Sequence, residues 1–253
     1  MQYFYSVRYR IQSGRRSGLE YAAHMAGSRS VVMGRPREFD IDEALERAMQ
    51  VFWERGYEGV SLTCLAKAMG ITKPSLYAAF GDKKELFRKA LERYTEGPAD
   101  YGTRALEEPT ARGVVEAILR GAVRTTTRPG GPAGCLGVQG ALASSEVGRP
   151  AHDMLVEWRN ASALRLEERF QRAVDEDDLP RDADPRRLAR YVMSVSFGIA
   201  VQAASGLGRD ELQDIADVAL ECWLPNRACD GRTRGVPAGT TQLDLTDLEA
   251  QAP

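Results

Sequence analysis

Residues 61–80 hold two short stretches of helical apolar spacing with a glycine between them, and this pattern restricts the fold more than any other in the chain. Ser61 can act as the N-cap of a first short helix, and Gly70 can end it. Thr72 can cap a second helix with Pro74 in its first turn, where proline is tolerated. Two short helices joined by a glycine-containing turn make a helix-turn-helix.

The second of these helices presents an unusual set of side chains on its outer side. It combines hydroxyls, one cation and one aromatic ring, which suit contacts with phosphates and base edges. On the inner side, the small Ala66 lets the two helices cross closely. The outer residues are Thr72, Lys73, Ser75, Tyr77 and Ala78. Spacing alone also fits an ordinary helical hairpin with a solvated face. The residues on either side are therefore needed to distinguish this hairpin from a DNA-binding motif.

The rest of the chain favours helices throughout. Asp40 and Asp82 are each followed three residues later by glutamate, as in capping boxes that open a helix, and we find no alternating strand pattern. The sequence therefore predicts an all-α fold. Besides the helix-turn-helix, the helices are expected from Asp40 to Gly56, from Asp82 to about Tyr94, and over 110–126, 137–145, 153–174, 185–204 and 209–224.

Four regions are expected along the chain. Residues 1–32 lack a helical or strand period and are predicted to be a flexible N-terminal extension, with the patterned part opening at Met33. Residues 33–94 would form the helix-turn-helix domain, and 95–225 a helical domain for ligand binding and dimerisation. Residues 226–253 contain Gly, Pro, Thr and acids with little periodicity, and are predicted to be a flexible tail.

Charge is unevenly distributed along the chain. Lys and Arg total 34 against 36 Asp and Glu, but residues 1–32 hold five arginines and one acid. All five lysines fall between Lys67 and Lys89. An acidic protein can still bind nucleic acid through one basic face. No apolar run reaches the length of about 18 residues needed to cross a membrane, so a cytoplasmic protein, nucleoid-associated when bound to DNA, is expected.

Enzyme and metal chemistry find little support in the residues. The four cysteines form no C-x-x-C pair and the two histidines lie far apart, so neither a zinc site nor a disulfide scaffold is expected. Neither a glycine-rich phosphate loop after a strand nor a G-x-S-x-G motif occurs. We therefore expect no catalysis and no cofactor. A helical adaptor without specific DNA binding is the alternative to a DNA-binding protein.

Glycines, aromatic residues and a lysine recur at fixed spacings on both sides of the helix-turn-helix. They run as Phe52-x-x-x-Gly56-Tyr57-x-x-x-Ser61-Leu62, then Gly70-Ile71, then Leu76-Tyr77-x-x-Phe80-x-x-Lys83-x-x-Leu86-Phe87. With this pattern, residues 33–94 closely resemble the DNA-binding domain of the TetR/AcrR family of transcriptional repressors. One departure is Cys64, where relatives usually carry an acid.

The resemblance implies a function and a set of DNA-binding residues. The chain would be a ligand-released repressor that binds a palindromic operator in double-stranded DNA as a homodimer. Tyr77 and Lys83 match family positions that usually touch the DNA backbone, and Arg35 and Arg37 match a basic arm that can enter the minor groove. The full expected set is Arg35, Arg37, Ser61, Thr72, Lys73, Ser75, Tyr77 and Lys83.

The C-terminal half is expected to hold an unknown small-molecule effector and to form the dimer. Aromatic and methionine side chains there could line a cavity, although such stripes more often form core. Glutamines amid apolar residues need hydrogen-bond partners, which favours them as ligand contacts. The expected ligand residues are Gln139, Trp158, Phe197 and Gln202. Residues 185–224 carry a second apolar face, which a four-helix bundle between two copies would cover.

Overall fold

The computed structural model describes residues 39–142 and 145–223. Within those ranges the chain forms ten helices and no strand, so the all-α prediction is confirmed. Arg35 and Arg37 lie outside the described residues, as do the predicted N-terminal extension and C-terminal tail. No helix in the described part is long and apolar enough to cross a membrane.

The first four helices form what we call the N-terminal module. They are α1 (Ile41–Arg55), α2 (Leu62–Met69), α3 (Lys73–Phe80) and α4 (Lys83–Glu96). Each begins where a side-chain oxygen accepts backbone N–H groups of the first turn, which removes unpaired donors at the helix start. The capping residues are Asp40, Ser61, Thr72 and Asp82, all of them predicted from sequence.

The remaining helices form the C-terminal bundle. They are α5 (Tyr101–Ala105), α6 (Ala111–Thr126), α7 (Leu136–Gln139), α8 (Arg149–Asp175), α9 (Pro185–Ala204) and α10 (Arg209–Glu221). Three differences from the sequence-based prediction stand out. Helix α5 was not predicted. Helix α7 is a single turn rather than a helix over 137–145, and α8 begins at Arg149, four residues earlier than predicted.

Interlocking aromatic rings fill the core of the N-terminal module. Phe52 of α1 meets Phe87 of α4 edge-on with ring centroids 5.1 Å apart, and Trp53 meets Tyr94 in the same way at 4.8 Å. All four side chains are buried. Edge-to-face pairs add specific geometry to the burial of large apolar surface, so α1 and α4 are held in one register.

Aliphatic side chains and alanines dominate the core of the C-terminal bundle. Helices α6, α9 and α10 contribute Val114, Leu119, Val192, Ile199 and Leu212, and α8 contributes Leu166, all fully buried. Phe170 and Trp223 are the buried aromatic residues of this cluster in the described part of the chain, with ring centroids 5.4 Å apart.

Residues 134–140, here called the bridging segment, join the two parts. The Trp53 indole N–H donates to the Gly134 carbonyl at 3.1 Å, and the Tyr57 backbone N–H donates to the Gly140 carbonyl at 2.7 Å. Tyr94 donates its hydroxyl hydrogen to the Cys135 sulfur at 3.0 Å. Since the segment is mostly buried, it fixes α1 and α4 against the C-terminal bundle.

Candidate nucleic-acid interface and effector cavity

The turn between α2 and α3 sets the crossing of the two helices. Gly70 has φ +71°, a left-handed conformation that glycine adopts without strain. The backbone N–H of Ile71 donates to the carbonyl of Ala66 at 3.0 Å, which closes the end of α2. Leu65 and Leu76 are fully buried between the helices, so the opposite side of α3 faces solvent.

The first turns of α3 form an exposed polar surface. The Thr72 and Ser75 hydroxyls lie 2.9 Å apart, and the Ser75 backbone N–H donates to Thr72 Oγ1 at 3.3 Å. Lys73 is exposed, and 52% of the Tyr77 side chain is exposed although it is a large aromatic residue. The Ser61 hydroxyl, the cap of α2, is also exposed. The predicted hydroxyl, lysine and aromatic groups therefore share one accessible surface around the start of α3.

Positive charge in the N-terminal module is left unpaired near this surface. Arg47, Arg88 and Arg93 on α1 and α4 all form ion pairs with nearby glutamates. By contrast, neither Lys67 nor Lys73 has an ion-pair partner among the described residues. Exposed cations without a carboxylate partner are free to attract phosphates, and Lys84 on α4 is another in the described part of the chain.

Lys83 adopts a more constrained position at the first residue of α4. Its ammonium lies 4.4 Å from the centroid of the Tyr57 ring, within the range of a cation–π contact. Burial lowers the pKa of Lys83, and the nearby Glu58 carboxylate opposes that shift. The side chain is half-buried, so the structure holds its charge at the base of α4 rather than extended into solvent.

Arg55 is a functional candidate that the sequence pattern did not single out. It is exposed at the end of α1, and its Nη1 lies 3.5 Å from the sulfur of Cys64 on α2. The sequence could have pointed to Arg55 through Cys64, because the acid that relatives usually carry at this position would neutralise the arginine beside it. With cysteine instead, Arg55 has no acidic partner in the described part of the chain.

A cavity with an empty volume of about 670 Å³, counting its mouth, lies within the C-terminal bundle. Every helix from α5 to α9 contributes to its wall, as does Thr95 near the end of α4. Trp158 and Phe197, both predicted as ligand residues, lie in the wall together with Ile118 and Val138. The lining is mainly apolar, as small-molecule sites usually are.

The polar groups in the cavity wall are largely satisfied by one another. Trp158 donates its indole N–H to Thr95 Oγ1 at 2.9 Å. Tyr101 forms a hydrogen bond with Ser196, and burial raises the pKa of the Tyr101 phenol. Burial likewise raises the pKa of the Cys135 thiol, although the hydrogen bond from Tyr94 lowers it in part. A ligand here meets neutral groups over most of the wall.

The two glutamines predicted as ligand residues do not line this cavity. Gln202 is exposed on α9, because it lies two residues, about 200° of helical rotation, beyond the lining residue Ala200. Gln139 instead folds back over the backbone of Gly134 and donates from Nε2 to the Ala133 carbonyl at 3.1 Å. The expectation that both amides face the cavity is therefore not met.

Metal chemistry has no counterpart in the described part of the chain. No cluster of three or more His, Cys, Asp or Glu side chains that could hold a metal ion occurs there.

A capped helix-turn-helix with an exposed second helix, joined to a helical bundle, defines a class of DNA-binding regulators. Residues 44–90 match the model of the family described as "Bacterial regulatory proteins, tetR family". The HTH-type transcriptional repressor ComR of Escherichia coli is 32% identical over 195 residues, which cover 75% of this chain and 91% of ComR.

Further relatives agree in sequence and in structure. The regulator YezE of Bacillus subtilis is 33% identical over 195 residues, covering 74% of this chain and 98% of YezE. A cysteine mutant of the TetR family regulator CifR, solved with a 26-bp operator duplex, has a TM-score of 0.72 and 42% sequence identity. That match covers 75% of this chain and all of the CifR chain. The protein belongs to the TetR family of transcriptional regulators.

Proposed function

We propose that this regulator is a repressor that binds a palindromic operator as a homodimer and leaves it when a small molecule fills the cavity of the C-terminal bundle. It would act as a binding protein rather than an enzyme, in the cytoplasm, where bacterial operators lie. The exposed first turns of α3 carry the proposal, because a buried aromatic core fixes them while their hydroxyls and lysine stay accessible. The operator complexes of CifR and the repressor ComR support it.

The contacts with DNA follow from the position of each group. Thr72, Lys73 and Ser75 stand at the start of α3, the end of a recognition helix that reads base edges in the major groove. Tyr77 and Lys83 would contact backbone phosphates.

Other predicted contacts flank the recognition helix. Ser61 at the start of α2 would add a backbone contact through its hydroxyl. Arg35 and Arg37, which precede the described residues, would reach into the minor groove. We add Arg55 as a phosphate contact near α2, on account of its exposed and unpaired guanidinium.

The dimer would form through the outer faces of α9 and α10. Within the predicted interface region 185–224, Val192, Ile199 and Leu212 are buried inside the chain and cannot face a second copy. The residues left outside form a stripe along α9 with Tyr191, Gly198 and Val201, and Val218 of α10 is also exposed. A Cβ on Gly198 would meet no atom within 4 Å, so close approach of a second helix is open. Two-fold pairing would place the two α3 helices about 34–36 Å apart.

Ligand release would act through elements that touch both the cavity and the N-terminal module. Thr95 of α4 and Cys135 of the bridging segment line the cavity. Thr95 accepts a hydrogen bond from the Trp158 indole N–H, and Cys135 accepts one from the Tyr94 hydroxyl. A ligand that favours a shifted α4 would therefore change the distance between the two recognition helices.

Duplex binding tests the DNA-binding part of this proposal. The purified protein selects fragments from genomic DNA, and the Kd for a selected duplex is measured by fluorescence anisotropy at several salt concentrations. We expect sequence-selective binding that weakens steeply with salt. Tyr77→Ala should weaken binding to all duplexes about tenfold, and Lys73→Ala should also relax sequence preference.

A matched control is Arg181→Ala, which removes an exposed arginine outside the helix-turn-helix. This variant should bind the selected duplex like the unmodified protein. Salt-independent binding without sequence preference, or full affinity in both the Tyr77 and Lys73 variants, would contradict the assignment of α3.

Sedimentation velocity tests the dimer. Val201→Arg places a charge in the α9 stripe and should yield monomers with much weaker operator binding. Leu164→Arg is the control, because Leu164 is an equally exposed apolar residue on α8, outside the stripe. A dimer that survives Val201→Arg would remove α9 from the interface.

A further inference from the structure

Three arginines lie on one face of α8, next to the cavity of the C-terminal bundle. Arg165, Arg169 and Arg172 are spaced by four and three residues, so they share one side of the helix. Together with Leu106 and Glu168 they line a groove, here called the arginine groove. Arg165 and Leu106 also line the cavity, so the groove and the cavity adjoin.

Arg169 is buried in this groove with part of its hydrogen-bonding capacity unused. Only 5% of the residue is exposed. Its Nε donates to the Leu106 carbonyl at 3.1 Å and its Nη2 to the Glu108 carbonyl at 2.7 Å, which fixes the guanidinium plane. Its Nη1 is buried and has no hydrogen-bond partner among the described residues. A buried guanidinium nitrogen without an acceptor is costly, so this atom marks a place for an incoming acceptor.

The charge around the groove is only partly balanced. Glu168 contributes one carboxylate to the lining, and Glu176 lies 3.9 Å from Arg172. Arg165 has no acidic partner in the described part of the chain and donates only to the Ser162 hydroxyl at 3.4 Å. Burial and the neighbouring Arg172 lower the pKa of Arg169, whereas Glu176 and Asp178 raise it. An anion placed between Arg165 and Arg169 would offset both the burial of the Arg169 charge and its repulsion by Arg172.

The cavity beyond Arg165 has the opposite chemistry. Its wall includes Ile118, Val138, Trp158 and Phe197, which present apolar and aromatic surface. The combined site thus has a cationic end that can make charge-assisted hydrogen bonds and an apolar interior that can cover a hydrocarbon tail.

We propose that the effector is an amphiphilic oxyanion, whose carboxylate or phosphate head binds Arg165 and Arg169 and whose apolar tail fills the cavity. This inference rests on the proposed function, since it assigns a chemical class to the ligand of the same cavity. Arg169 supplies a rigid, desolvated donor, and Arg165 supplies the charge at the junction between groove and cavity.

Isothermal titration calorimetry on the full chain tests the chemistry with defined probes. Octanoate and octyl phosphate carry the two head groups on one tail, 1-octanol keeps the tail without the charge, and acetate and inorganic phosphate keep the head without the tail. We expect one or both octyl anions to bind at least tenfold more tightly than 1-octanol, and neither head group alone to bind measurably. Equal affinity for octanol and the octyl anions, or no binding of either anion, would overturn the proposal.

Variants locate the head group. Arg165→Gln removes the groove charge that has the fewest structural contacts, and should weaken the bound octyl anion at least tenfold and 1-octanol by far less. Arg169→Lys keeps the charge but loses the planar fork, and should weaken the anion as well. Arg181→Gln, an exposed arginine that lines neither the groove nor the cavity, is the matched control and should bind the anion normally. Full anion affinity in Arg165→Gln would overturn the proposal.

The same preparation separates this inference from the proposed function. An octyl anion should lower the affinity for the selected operator duplex, and Arg165→Gln should reduce that effect. Specific duplex binding without any response to the octyl anions would remove this ligand class and leave the repressor intact. If the anion binds in an Arg165-dependent manner but the protein binds no duplex, the proposed repressor function is wrong and the proposed oxyanion site stands.

Discussion

The N-terminal module and the C-terminal bundle are both helical, yet different interactions specify them. Every helix of the N-terminal module starts at a side-chain cap, whereas α5, α7 and α8 start without one. The N-terminal core is built from interlocked aromatic rings such as Phe52, Trp53 and Phe87, while the bundle packs mainly aliphatic side chains and alanines around a cavity. Local signals and rigid packing thus define one part, and long-range packing with spare volume defines the other.

The difference matches what each part must do. A surface that reads DNA needs fixed side chains, because a shift of about 1 Å changes its contacts. The proposed response to a ligand requires that the helices of the bundle pack in two arrangements of similar free energy. A close-packed interior allows a second arrangement only where it contains a cavity. The predictions below test whether the two parts differ in this way.

The largest expected effect is on the aromatic core. Phe52→Ala should lower the free energy of unfolding by about 3–5 kcal/mol, because Phe52 is fully buried between Tyr57 and Phe87. Phe197→Ala should cost about half of that or less, because this ring already faces the cavity. Guanidinium unfolding of the two variants measures the difference, and equal losses would contradict the contrast in packing.

A smaller effect is expected where the bundle is tight. A Cβ on Gly137 would lie 2.4 Å from the Trp158 ring, so Gly137→Ala must displace a ring of the cavity wall. We expect a loss of about 1–3 kcal/mol in unfolding free energy, as for overpacked cores. Gly102→Ala is the control, because a Cβ there meets no atom within 4 Å. If both variants unfold at the same denaturant concentration, the wall around Trp158 is not tightly packed.

Each helix cap of the N-terminal module should contribute slightly less to the unfolding free energy than Gly137→Ala removes. Ser61→Ala removes the acceptor for the Cys64 backbone N–H and should cost about 1 kcal/mol. Thr63→Ala, on an exposed residue of the same helix, should leave stability unchanged or raise it slightly. Thermal unfolding of both variants checks the prediction, which an unaffected Ser61→Ala protein would contradict.

The smallest effect is a pH dependence at the contact between the two parts. The Ser145 hydroxyl and backbone N–H donate to Glu58, and these bonds lower the pKa of that carboxyl below its usual 4.5. A lowered pKa in the folded state means that the carboxylate stabilises the fold above pH 4.5 and stops doing so as the pH falls through its folded value. Glu58→Gln should therefore lower the melting temperature slightly at pH 7 and not at strongly acidic pH.

Glu54→Gln is the control for this prediction, since Glu54 is an exposed glutamate one turn earlier. A pH-independent difference between Glu58→Gln and the unmodified protein would show that the Ser145 contact does not depend on the charge.

The sequence predicted the N-terminal module well because its determinants are local. Asp40, Ser61, Thr72 and Asp82 lie next to the turns they stabilise, so short-range patterns reveal them. Helix α5 could not be predicted from sequence because a tertiary contact stabilises it. The Tyr101 ring packs against α6 at Gly121, which has no side chain. No local pattern encodes that fit.

The same limit applies to the cavity and to the arginine groove. Trp158 and Phe197 line the cavity, but sequence alone could not separate a lining role from a core role, because aromatic residues at helical spacing more often form core. Gln202 could not be placed correctly, since two helix faces were both apolar and sequence alone does not say which faces the cavity. The sequence analysis did not single out Arg169, whose burial depends on hydrogen bonds to carbonyls of the α5–α6 loop that no local pattern encodes.

One consequence concerns the length of α4. Its 14 residues make a rod of about 20 Å, with Lys83 at one end and Thr95 in the cavity wall at the other. Pivoting such a rod by about 10° swings one tip by about 3.5 Å relative to the other. This displacement is about equal to the rise per base pair of DNA, about 3.4 Å. If the proposed effector displaces Thr95 in this way, the Lys83 end of α4 would move by about one base-pair step relative to the DNA without any helix unfolding.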